Sequence, residues 1–278
     1  MRALCLPGCG CRGAFQFGVM STLAERGEQF DVVAGASSGS ICGAVTVAGL
    51  ASEGPAMFRS LASTKIVSRQ YLRSEGSPFG MGAILRDALT RFVPEALVRA
   101  SATELLVSTT RAGRLLRSAL ERARARLAPG RASSESYPFE KPSPVYELAV
   151  RAEARVIHSS RERTNIHDII VASCTIPGLY AKLPVLDGEV HVDGGAADNT
   201  LLGVLLERGA RDITVVTPYP NGAVSPTLFE RTQTPRVPAG VRLRLLSPKE
   251  PLRLRHFDFD PGRLDEALEA PFTEEIID

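Results

Sequence analysis

At 278 residues, with 44% hydrophobic and 23% charged residues, the chain has the makeup of a globular protein long enough to bury a full core. A net charge of +2, 6% aromatic residues and no Trp exclude a nucleic-acid binder that works by global charge or base stacking. The five cysteines (Cys5, Cys9, Cys11, Cys42 and Cys174) read as reduced thiols rather than a disulfide scaffold, and Cys9-x-Cys11 lacks the spacing of a zinc or redox pair, so no metal is expected.

Arg2 to Leu6 reads as a first strand. Met1-Arg2 precedes only a short apolar run that breaks at Pro7-Gly8, which is not the pattern of a secretory leader, and a cytoplasmic protein is expected. The loop Gly8-Cys9-Gly10-Cys11-Arg12-Gly13 follows, then a helix over Ala14 to Leu23. Strand, G-x-G-x-x-G, helix is also the dinucleotide-binding fingerprint. That motif needs an acid closing the second strand, whereas Asp31 opens it. The other use of a glycine loop at a helix N-terminus is to hold an anion on outward-pointing amides. Arg12 adds positive charge there, or is a packing arginine.

Phe30 to Ala34 reads as a second strand and Ser40 to Ala48 as a buried helix. Between them stands Gly35-Ala36-Ser37-Ser38-Gly39. Strand, G-x-S-x-G, helix is the pattern of a nucleophile elbow, in which a strained turn exposes a serine hydroxyl at a helix N-terminus. The plain alternative is a Gly/Ser turn. No charge falls between Val32 and Ser52. That span could cross a bilayer by length, but its Gly and Ser residues argue for a buried strand-turn-helix.

Pro55 to Leu97 reads as irregular helix, with Ala83 to Leu89 the clearest amphipathic stretch. Glu104 to Thr109 reads as a central strand. Leu116, Leu120, Ala123 and Leu127 then form a helical stripe flanked by Arg111, Arg114, Arg117, Arg122, Arg124 and Arg126. An Arg-faced surface helix is the ordinary reading; a peripheral contact of the Arg111–Arg126 helix with an anionic membrane is the functional one. Ala128 to Pro144, rich in Pro, Ser and Gly, reads as a loop or lid. Helices follow at Asn165 to Cys174 and Leu201 to Leu206, and strands at Glu189 to Val192, Ile213 to Thr217 and Val241 to Leu246. Leu264 to Leu268 begins an acidic terminal helix. Such alternation predicts an α/β fold with a mainly parallel sheet covered on both faces.

Three stretches stand in order: Gly8 to Gly13, Gly35 to Gly39, and Asp193-Gly194-Gly195. With Arg12-Gly13-Ala14-Phe15-Gln16, Ala172 to Gly178 and Val192 to Asn199, the set resembles the patatin-like phospholipase family, over about residues 2 to 217. The resemblance implies a three-layer α/β/α fold and hydrolysis of lipid acyl esters by a Ser–Asp dyad. Carried over by position, Ser37 is the nucleophile and Asp193 its base. Gly8, Cys9, Gly10, Cys11, Arg12 and Gly13 form the oxyanion hole, Gly35, Ala36, Ser38 and Gly39 shape the elbow, and Gly194 and Gly195 complete the acidic motif. Family members are similar in using no metal or organic cofactor. The chain is expected to be a single domain, 1–278, with an insertion at about 111–144. One departure is Cys9, where the family loop commonly carries Gly; a positive φ there would cost Cys about 1 kcal/mol or more.

The residues reach part of this unaided. A serine hydroxyl needs a base. The candidates are Asp193, just past a strand, and His158, His167, His191 and His256. Ligand sites in open α/β sheets lie at the carboxyl ends of strands, which would bring Asp193 to the elbow's edge. The rival is a Ser-Asp-His triad recruiting His256. Asp198 and Asn199 read as caps of the following helix. Pro177 and Gly178 read as a helix stop or a wall of the site. Against an enzyme stands a lipid-binding or regulatory module with a vestigial site. The expected partner is a lipid or acyl ester, and no nucleic acid.

Overall fold

A computed structural model describes residues 1–62, 64–114, 116 and 153–278. Its layering is set from the first strand. β1 (Arg2–Leu6) sends Leu4 and Leu6 into one core and Ala3 and Cys5 into another, on the opposite face. β2 (Val32–Ala36) repeats this, with Val33 on the first side and Val32, Ala34 and Ala36 on the second. Strands apolar on both faces need cover on both faces. On the first face lie α1 (Gly13–Glu25), α2 (Ser38–Val47), α3 (Gly54–Ala62), α5 (Met81–Phe92), α6 (Glu95–Ala100) and α7 (Ile166–Ser173), while the short α4 (Tyr71–Glu75) packs on α5. α8 (Leu202–Glu207) covers the second face, and α9 (Pro261–Leu268) returns to the first.

The remaining described strands are β3 (Glu104–Arg111), β4 (Arg155–Ser159), β5 (Val185–Leu186), β6 (Glu189–Asp193), β7 (Asp212–Val216), β8 (Arg242–Pro248) and β9 (Phe272–Ile277). The sheet runs β5-β6-β3-β2-β1-β7-β8-β9, with β4 also paired to β3. The five strands β3-β2-β1-β7-β8 are parallel; β4, β5, β6 and β9 join antiparallel. The fold is the expected α/β/α arrangement with a mostly parallel sheet.

Two expectations change. The terminal helix ends at Leu268, because Pro271 cannot continue it, and the chain finishes as the edge strand β9 on β8. β6 is antiparallel to its neighbour β3, so Asp193 does not reach the site from the end of a parallel strand. The register shows how it does. β2 pairs with Glu104 to Ser108 of β3 and stops at Ala36. β4 holds the other edge of β3 as far as Thr110. β6 therefore takes over the edge that β2 vacates, pairing Asp193 with Thr109, the residue after Ala36's partner Ser108. Two strands meet head-on in one lane, with Ser37 and Asp193 at the junction.

Of the expected basic helix, Arg111 instead ends β3, paired with His191, and Arg114 and Leu116 also fall among the described residues; the rest of it and the Pro/Ser/Gly loop lie outside them. No helix among the described residues is long and apolar enough to cross a membrane. All five cysteines are buried thiols.

Candidate active site

Ser37 caps α2 with φ 51° and ψ −129°, a conformation that non-glycine residues adopt only when the surroundings impose it. Here the imposition is packing. A Cβ on Gly39 would lie 1.9 Å from the Leu6 carbonyl oxygen, and one on Gly35 would lie 2.5 Å from that of Gly39. Only glycine at both positions lets strand and helix close to this distance, and the bend between them carries Ser37. The Ser37 N–H donates to Ser173 Oγ at 2.8 Å, which ties the strained turn to the end of α7.

The Ser37 hydroxyl donates to Asp193 Oδ2 at 2.6 Å, across 156 residues of sequence. Asp193 is 2% exposed, and its Oδ1 accepts the Gly195 N–H at 2.8 Å. Its backbone is anchored as well: its N–H donates to the Thr175 carbonyl, and its carbonyl accepts the Thr110 hydroxyl. Burial raises the carboxyl pKa to about 7, against the opposing pull of the Ser37 and Gly195 hydrogen bonds. A carboxylate of that basicity is matched to accepting a proton near neutrality.

None of the four histidines contacts this pair. His158 Nε2 and His191 Nδ1 share the Thr109 hydroxyl, each at 2.8 Å. Burial lowers the pKa of both, that of His158 to about 4, so this network is neutral. His167 Nε2 meets the Val93 carbonyl. His256 turns its ring to the Tyr219 hydroxyl and its carbonyl to the Cys11 N–H. It lines the same cavity as Ser37 without bonding to it.

The opening loop is held from three sides. Gly8 N–H donates to Asn199 Oδ1, Cys9 N–H to Ser38 Oγ, and Cys11 N–H to the His256 carbonyl. Gly13 N–H closes the short turn Gly10–Arg12 onto the Cys11 and Gly10 carbonyls. Arg12 Nε donates to the Leu254 carbonyl, and the guanidinium lies over the Tyr219 ring. Gly10, at φ +59°, lines the cavity beside Ser37. The positive φ therefore falls on a glycine, while Cys9 sits at φ −154° and carries no left-handed strain. Cys9 is buried, with its Sγ 3.5 Å from Ser38 Oγ.

Asn199 does more than a cap would. Its side chain accepts from Gly8 N–H and donates to the Gly8 and Ser225 carbonyls. It clamps the opening loop against the segment that follows the Asp193 turn. Neither Asp198 nor Asn199 caps α8, whose N-cap Leu201 has no side-chain partner: Asp198 Oδ1 accepts from Thr200 and Leu201 N–H in the turn before the helix, while Oδ2 pairs with Arg155. The sequence leaves the role of Ser173 unread and offers Asn199 first as a helix cap, with a part in the site as the lesser alternative. Both lie inside the motif blocks, which is the one signal that pointed to them.

Above Ser37 opens a cavity of about 170 Å³. Ser37, Ser38 and the loop from Gly10 line one side of it, and Cys174, Tyr180 and His256 add further polar groups. Ile41, Phe58, Ile84, Leu85, Ile176 and Phe259 make up much of the rest. Among the described residues no group of three or more His, Cys, Asp or Glu converges as metal ligands would.

Residues 4–206 match the family model described as patatin-like phospholipase. No curated protein matches the chain. Among solved structures, VipD from Legionella pneumophila aligns at 13% identity and a TM-score of 0.40, over 79% of this chain and 50% of VipD.

Proposed function

Since the chain belongs to the patatin-like phospholipase family, we propose that it is a serine acyl hydrolase that cleaves lipid acyl esters through an acyl-enzyme, with Ser37 as nucleophile and Asp193 as base. The observation that carries the reading is the 2.6 Å hydrogen bond from Ser37, which lines a largely apolar cavity, to a buried carboxylate. Asp193 Oδ2 takes the Ser37 proton as Oγ attacks the ester carbonyl carbon. The carbonyl π pair moves to oxygen, where the Gly10 amide and the N-terminal amides of α2 offset the charge. The tetrahedral intermediate collapses and expels the alcohol, which leaves with the proton from Asp193. Water then gives its proton to Asp193 and attacks the acyl group. The carboxylic acid departs, and the proton returns to Ser37.

In this reading the remaining loop amides, of Gly8, Cys9, Cys11 and Gly13, shape the oxyanion site while bonded within the protein. Arg12 braces the loop. The apolar cavity receives the acyl chain, whose transfer out of water is favourable at roughly 0.8 kcal/mol per methylene. A lipid-binding module with a vestigial site is the second reading. Reaction with a fluorophosphonate probe separates the two. An enzyme labels at Ser37 and loses the label in Ser37→Ala; a wild-type protein left unlabelled, and inert toward nitrophenyl acyl esters, would overturn the proposal.

A further inference from the structure

Two segments form the rim of the apolar cavity, and each places cations beside exposed apolar side chains. The first runs from Lys65 to Arg73. Its Ile66 lines the cavity, while Val67 is 59% and Leu72 50% exposed. Lys65, Arg69 and Arg73 are exposed before, between and after them, and no ion pair engages these three among the described residues. The segment is rigidly held. Val67 bridges to Phe79, Gly80 N–H donates to the Ile66 carbonyl, and the buried Tyr71 hydroxyl donates to the Lys65 carbonyl. The second segment is Arg255-His256-Phe257. His256 and Phe257 line the cavity, Phe257 is 61% exposed, and Arg255 is exposed with no ion pair among the described residues. Nearby acids are spent: Asp258 pairs with Arg263, and Asp260 caps α9. Glu75 is the one acid between Lys65 and Gly80, and it is half-buried at the end of α4.

Exposed apolar side chains fixed on a structured rim cost free energy in water unless something covers them. Unpaired cations interleaved with them select a negatively charged cover, and an anionic bilayer offers acyl chains to the first set and headgroups to the second. We propose that this rim, Lys65–Arg73 with Arg255–Phe257, is the face by which the protein docks on an anionic lipid bilayer, mouth of the cavity downward. The assignment deepens the acyl-hydrolase reading, because a lipid leaving the bilayer at this point enters the cavity without crossing water. It differs from the expectation that the Arg111–Arg126 stretch makes the contact.

The test is sedimentation of the full chain with sucrose-loaded vesicles of phosphatidylcholine alone or with a third phosphatidylserine. Hydrolysis of a water-soluble nitrophenyl acetate is measured in parallel. Wild type should bind the anionic vesicles and bind the neutral ones at least tenfold less. Arg69→Gln/Arg73→Gln should weaken anionic binding about tenfold or more, given roughly fivefold per cation at such a surface. Leu72→Ser should weaken binding several-fold, and both variants should keep wild-type rates on the soluble ester. Equal wild-type binding to the two vesicle types would overturn the proposal. So would undiminished binding of both rim variants, or loss of binding only when Arg122, Arg124 and Arg126 are reversed. Intact, rim-dependent vesicle binding with no ester hydrolysis would sink the hydrolase reading and leave the docking face standing.

Discussion

The two walls of the cavity are built by opposite rules. The sheet-side wall is polar and pinned. Ser37 and the Gly8–Gly13 loop, with Asp193, Ser173 and Asn199 behind them, each hold at least one hydrogen bond to a partner far away in sequence. The helical wall, from α3 to α5 with Ile176 and Phe259, is apolar and makes its contacts by shape alone. The contrast teaches that the two walls depend on one another. Between them Asp193 is buried, which raises its pKa to about 7, and the pinned side holds its carboxylate 2.6 Å from the Ser37 hydroxyl. Changes on the polar wall should therefore act on the rate of the chemical step, and changes on the apolar wall on substrate choice.

The largest effect is expected at the junction itself. Ser37→Ala and Asp193→Asn should each lower kcat for a nitrophenyl ester by about 10⁴-fold, and the double variant should be little worse than either, because the pair acts as one unit. Losses that simply multiply would break the coupling of the two residues. The pH profile comes next. With a base whose carboxyl titrates near pH 7, kcat/KM should rise about tenfold per pH unit up to neutrality and then level off. A plateau already reached at pH 5 would mean that burial does not tune Asp193.

The same shift has a stability side. The folded carboxyl binds its proton more tightly than an unfolded one, so its contribution is present below about pH 4 and is lost as pH rises through about 7. The Tm of Asp193→Asn should therefore gain on that of wild type between pH 4 and pH 8.

Asn199→Ala leaves the Gly8 amide and carbonyl without their partners and frees the loop. A tenfold or larger fall in kcat with little change in KM is expected, of the order that a 1 Å misplacement produces. On the apolar wall, Ile84→Phe should shorten the acyl chain preferred, measured as kcat/KM across a series of chain lengths, and leave kcat for short esters within about threefold. The smallest effect is expected for His256→Gln. Its ring bonds Tyr219 and neither member of the Ser37–Asp193 pair, so activity should stay within a few-fold. A loss comparable to that of Asp193→Asn would restore the triad.

Much of this was legible in the chain. The elbow is a local object. An apolar strand, a Gly-x-Ser-x-Gly turn and a small-residue helix meet closely here because position 35 carries no side chain to collide with the Gly39 carbonyl. The layer order was legible too, because alternating strands and helices with apolar residues on both strand faces demand cover on both sides. The end of the chain was not, as Phe272 to Ile277 becomes a strand only by finding the open edge of β8.

What tertiary structure alone decided is how Asp193 arrives. Pairing register between strands is set by packing and long-range hydrogen bonds, not by the residues of one strand, so nothing in Glu189 to Asp193 says that it runs antiparallel in the lane where β2 stops. The burial that raises its pKa, the Asn199 clamp 191 residues from Gly8, and the exposed cationic rim are likewise properties of neighbours that the chain brings together only when folded.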